Sequence, residues 1–210
     1  MWVAGAGLSA GARPAASPTR VTVTISNSRI VFAPSYAPTG TLALTVLNRT
    51  TGARDFGVGA RRTAAIAAGR SARLTVTLPA KGERTFSSVA AGGVRRLTGA
   101  LYLFEPCAHP ATTTVDVSMG NSAGGLVLSQ TRVPCGTVTF AVTDVDATGA
   151  SLLVSSAVPP QSAVTNQLDP GGTATLTLRF AAKAVVDCDA VEDDTDGDSV
   201  VVGYASLTLF

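Results

Sequence analysis

Histidine is almost missing from this sequence: among 210 residues there is one, His109, beside two methionines and three cysteines. That scarcity removes the imidazole on which Ser/His/Asp and Cys/His catalytic centres depend. Zinc, which takes about four nitrogen or sulfur donors, finds only Cys107 and His109 close together, so His109 reads as a surface residue. Long apolar runs are also absent, and none reaches the ~18 uncharged residues of a membrane span. Aromatic residues are few and the arginines are scattered rather than interleaved with stacking rings, which argues against nucleic acid as a partner. The glycine pairs at 92–93 and 124–125 lack the Lys-Ser/Thr ending of a phosphate loop. Taken together, these gaps lead to the expectation that the chain is not an enzyme.

Alternation of Thr and Val is plentiful, and no long segment carries a 3.6-residue apolar period, so an all-β fold is expected. Strands are predicted at 21–26 (VTVTIS), 29–32, 41–47 (TLALTVL), 54–58 (RDFGV), 73–78 (RLTVTL) and within 81–104. The second half repeats the series at 114–118, 136–142, 151–154, 168–178, 184–188 and 204–210. Short strands with a turn every 8–12 residues are the pattern of a Greek-key sandwich, and two copies make a tandem. The division is 1–19 as a signal-peptide remnant or flexible leader, 20–105 as the first domain, 106–112 as linker and 113–210 as the second. The leader has an Ala-x-Ala at 10–12 and a Pro/Ser-rich spacer, and it points to an extracytoplasmic protein, whether secreted, periplasmic or bound to the cell wall.

A net charge of +2 hides an asymmetry. Residues 1–106 carry 13 Lys/Arg against 3 Asp/Glu, a net +10, and residues 107–210 carry 3 against 11, a net −8. Two readings stand: oppositely charged solvated surfaces that help the halves dock, or a basic half that meets an anionic partner such as a cell-wall polymer, a lipid headgroup or, weakest of the three, nucleic acid.

The stretch 81–99 (KGERTFSSVAAGGVRRLTG), a strand and a glycine-bearing loop before the strand ALYLF, resembles the segment of cupredoxins that carries three copper ligands. Both halves are similar to cupredoxin domains over most of residues 20–210. The resemblance implies two tandem Greek-key β-sandwiches of cupredoxin-like topology, with the copper ligands of the family placed on Arg54, Ser88, Gly93 and Leu97 in the first half. In the second half it implies Ser151 for the first ligand and Cys188 for the thiolate. Blue copper takes two imidazoles, a thiolate and a weak thioether. These positions supply no such set, so the copper sites are expected to be degenerate. Arg54 is expected at the rim, in an ion pair with Asp55.

In the sandwich topology that the resemblance implies, Cys107 and Cys135 share the pole away from the copper loops and Cys188 lies at the other. A Cys107–Cys135 disulfide follows, with Cys188 free or buried. Asp194, Asp196 and Asp198 resemble a calcium loop, but the bidentate Glu of an EF-hand is replaced by Gly203 and no helices flank it. The expected function is an exported binding or structural module without copper. The alternatives are a copper-handling or electron-transfer protein and a calcium-stabilised adhesion-type module.

Overall fold

The computed structural model describes residues 17–93, 95–120, 125–145, 148–193 and 199–210. Asp194, Asp196, Asp198 and most of the leader therefore lie outside the described residues. In the first half the strands are β1 (Thr19–Ile25), β2 (Ile30–Ala33), β3 (Tyr36–Pro38), β4 (Gly40–Asn48), β5 (Gly57–Val58), β6 (Arg61–Arg62), β7 (Ser71–Leu78), β8 (Gly82–Val89) and β9 (Arg96–Phe104). In the second they are β10 (Ala111–Met119), β11 (Leu126–Leu128), β12 (Arg132–Val133), β13 (Gly136–Asp144), β14 (Ser151–Ala157), β15 (Pro160–Val164), β16 (Thr173–Phe180), β17 (Val185–Asp193) and β18 (Ser199–Leu209).

Each half forms a sandwich. In the first, a sheet ordered β2-β1-β4-β7 faces one ordered β3-β9-β8-β5-β6. In the second, β11-β10-β13-β16 faces β12-β18-β17-β14-β15. The central pairs β1/β4 and β10/β13 run parallel, as do the edge pairs β3/β9 and β12/β18. The same sheet orders and the same parallel pairs in both halves establish the repeat.

Strict alternation produces the cores. In β4 the side chains of Leu42, Leu44 and Val46 point inward and are fully buried, while Thr45 points to solvent. Phe32, Phe56 and Phe86 meet at the centre of the first core, the last two stacked with centroids 5.5 Å apart. Gly99, the cross-strand partner of Phe86, lets β2 approach closely: a Cβ there would fall 2.7 Å from that of Ile30. The second half has its own buried cluster around Met119, Phe140, Leu152 and Phe180.

Segment 54–58 is less regular than its sequence suggests. Only Gly57–Val58 is strand, while Arg54 makes isolated bridges to Ile66 and Ala90. The Asp55 carboxylate accepts from the Val89 amide at 2.7 Å, so a side chain replaces a ladder bond at that point. Strands β3, β11 and β15 lie in stretches rich in Pro, Ser and Gly, which on their own read as turns.

Between the halves, Pro106 bridges to Ala182, Cys107 donates to the Ala181 carbonyl at 2.9 Å, and Lys183 pairs with Glu105 at 2.8 Å. Cys107 is joined to Cys135 by a disulfide with Cα atoms 5.8 Å apart.

Candidate functional site

The end of the first sandwich that holds the β8–β9 loop is closed by an arginine. Arg54 is 5% exposed. Its Nη1 donates to the Ser88 carbonyl at 3.3 Å and to the Arg95 carbonyl at 3.4 Å, and its Nη2 donates to the Arg95 carbonyl at 3.3 Å. Ser88 is fully buried directly beneath it, opposite Leu97 in the ladder. Gly93 lies in the exposed loop above. The structure thus brings Arg54, Ser88 and Leu97 together at one pole, and what they build is a set of donors aimed at carbonyls.

The expected Arg54–Asp55 ion pair is corrected. Arg54 turns inward, and the partner of Asp55 is Arg62, through Nε to Oδ2 at 2.8 Å and Nη2 to Oδ1 at 2.7 Å. The cause is geometric: the main-chain bridges of Arg54 place its side chain over the core, while β6 faces Asp55 from the sheet edge. The Arg62 guanidinium holds the Asp55 carboxyl below its usual range, helped by the Val89 amide and opposed by partial burial. A folded-state pKa that is depressed contributes stability above the unfolded value, which is lost as pH falls through the folded one. Asp55→Asn should therefore cost about 1 kcal/mol at neutral pH and flatten the acid limb of a Tm-against-pH curve below about pH 4. An unchanged acid limb would show the pair to be energetically idle.

Register also corrects the placements in the second half. Phe104 and Phe210 are equivalent, since each carbonyl accepts the amide bond that starts the same crossover, from Thr39 and Cys135 respectively. Counting back along the ladders, Cys188 pairs with Ala205 as Phe86 pairs with Gly99. Cys188 therefore holds the position of Phe86 in mid-strand, not that of Ser88 at the pole. The true counterparts of Ser88 and Leu97 are Ala190 and Gly203. Ala150, whose carbonyl accepts the Leu168 amide as that of Arg54 accepts Ile66, is the counterpart of Arg54, and Ser151 matches Asp55. Sequence alone does not reveal this offset, because a shift of two residues keeps the same face of a strand inward.

Neither pole fits copper. At the first, a cation with no lone pair occupies the centre. At the second, Ala150 and Ala190 are side chains without donors, and a Cβ on Gly203 would lie 2.5 Å from the Gly125 carbonyl carbon, so no thioether could project there. Cys188 is fully buried, and its thiol is pushed up to about 12 by burial, with Asp189 and Asp187 adding to the effect. Its side chain packs in the second core cluster rather than at the loop pole. Among the described residues, no three His, Cys, Asp or Glu side chains are grouped to hold a metal ion.

Two buried polar clasps brace the poles. Asn48 donates to the Gly52 and Ile66 carbonyls at 2.8 Å, and its Oδ1 accepts from the Thr50 amide and hydroxyl. At the equivalent place Asp144 accepts from the Ala150 amide at 2.9 Å. In the sequence each is only the polar residue that ends a strand.

The sheet orders, parallel crossovers and loop poles define a tandem of cupredoxin-like domains. No family model and no curated protein sequence matches the chain. Solved structures to which it is similar include a multicopper oxidase, at 10% identity over 91% of this chain and 88% of that one, with a TM-score of 0.33. A blue copper oxidase from Nitrosomonas europaea shows 15% identity over 92% and 86% of the two chains, with a TM-score of 0.31. The copper-containing nitrite reductase of Thermus scotoductus SA-01 shows 11% identity and a TM-score of 0.32, and the match spans 92% of this chain but 62% of that one. By name these proteins are enzymes, which corrects the expectation that the chain is not one: their scaffold does not exclude catalysis. Among the described residues no helix is long and apolar enough to cross a membrane.

Proposed function

We propose that this tandem cupredoxin-like protein is an extracytoplasmic binding or structural module of the cell envelope that works without copper. The observation that carries the reading is Arg54, a buried guanidinium bonded to the Ser88 and Arg95 carbonyls where the fold would otherwise hold a metal. The Cys107–Cys135 disulfide supports an oxidising compartment. The ladder register adds a second pole without donors, at Ala150, Ala190 and Gly203.

Titration of purified protein with Cu(II), followed by absorbance and by Tm, tests it. The expected result is no intense visible band and no stoichiometric rise in Tm. A one-to-one blue or yellow centre would overturn the reading. In the same assay with Ca(II), a rise in Tm abolished by Asp196→Ala would assign the acidic loop to calcium instead.

A further inference from the structure

Beyond this reading, and resting on it, we infer that the loop pole of the first sandwich is a docking surface for a polyanion with repeating phosphodiester groups. Four loops meet at that pole, tied by main-chain bonds. The Arg49 amide donates to the Ile25 carbonyl beside the Ser26–Arg29 turn, Asn48 donates to Arg70, and Ala91 donates to Ala53. Each loop brings arginine to the surface: Arg29, Arg49, Arg70, and Arg95 with Arg96, all exposed. None makes an ion pair among the described residues; the ion pairs there are Arg62–Asp55 and Lys183–Glu105. The one carboxylate in the first half close to this pole, Asp55, is already held by Arg62 on both oxygens. Beneath them lies Arg54, a further fixed cation screened from water.

This arrangement selects its ligand. Five exposed cations carried on four separate loops offer several contacts, so an extended chain of anions can satisfy more of them than a single small one. Every cation is arginine, whose planar fork suits phosphate oxygens and whose charge is permanent. Exposed tryptophan and tyrosine are missing from these loops, so stacking on nucleobases has no platform. The surface attracts ligand through its summed field, and its binding weakens with salt.

The test uses the full chain and immobilised synthetic poly(glycerol phosphate), with neutral dextran as control. Binding should fall at least about tenfold between roughly 50 mM and 300 mM salt, as expected when several counterions are released. Arg49→Gln/Arg95→Gln/Arg96→Gln should lose about tenfold or more, since three charge contacts are removed. These changes spare the Arg95 carbonyl that Arg54 uses, and an unchanged Tm confirms the fold; Arg29→Gln/Arg70→Gln serves as a second variant. Arg20→Gln/Arg73→Gln/Arg84→Gln removes equal charge from elsewhere in the same half and should stay within about threefold. Equal losses in both sets would reduce the effect to net charge and overturn the proposal. So would absence of binding, tighter binding to duplex DNA, or a salt-sensitive oligomer in which the acidic half of a second copy takes the site. Such a failure leaves the copper titration silent, whereas failure of the parent reading appears as a copper centre whatever the polymer does.

Discussion

Replacing Cys107 and Cys135 together by alanine is expected to destabilise the second half by about 3–4 kcal/mol. The sequence separation of 28 residues sets this figure, because the cross-link removes loop-closure entropy from the unfolded chain. The closed loop contains β10, β11 and β12, so without the bond the first strands of the second sandwich must be ordered from a freer chain. The bond also secures the junction at 105–107, which is otherwise tied to the second half by two main-chain hydrogen bonds and one exposed ion pair. For a unit of about 100 residues, such a loss lowers Tm by roughly 10–20 °C. Differential scanning calorimetry of the oxidised and double-alanine proteins measures it. A change below about 1 kcal/mol would mean that the unfolded chain already holds these ends together.

The second large effect belongs to Arg54. Arg54→Ala removes the guanidinium from the Ser88 and Arg95 carbonyls and leaves a void above Ser88 and Leu97. We expect a loss of about 2–4 kcal/mol from the cavity and the buried unmet acceptors together. Arg54→Met separates the two contributions: it restores volume but supplies no donor, and should recover about half of the loss. Because the buried clusters of the two halves are separate, Arg54 variants should act on the first and the disulfide variant on the second, with additive effects. Urea denaturation with a probe in each half checks this. If Arg54→Met matches the parent protein, the pole is held by packing alone.

The charge asymmetry gains meaning only from the topology. In the chain, Arg29, Arg49, Arg70 and Arg95 are some 20 residues apart and read as scattered. A Greek-key sandwich returns the chain to the same end after every second strand, so residues at that interval gather on one pole. Sequence spacing shows the interval, while strand direction decides which arginines share a surface and which point elsewhere, as Arg20 and Arg73 do on the outer face of β1 and β7.

By itself the sequence determined the class of fold, the twofold repeat and most of the long strands, because alternation of Thr with Val, Leu and Ile is a local signal tied to burial on one face. It also determined the shortage of copper donors, which is a matter of composition. Only the tertiary structure decided which side chains meet: that Cys188 fills a core site matching Phe86, that Ala150, Ala190 and Gly203 stand at the second pole, and that Arg54 bonds inward while Asp55 is taken by Arg62. These depend on register between strands far apart in the chain, and a pleated strand carries no mark of its partner's alignment until the two cores pack.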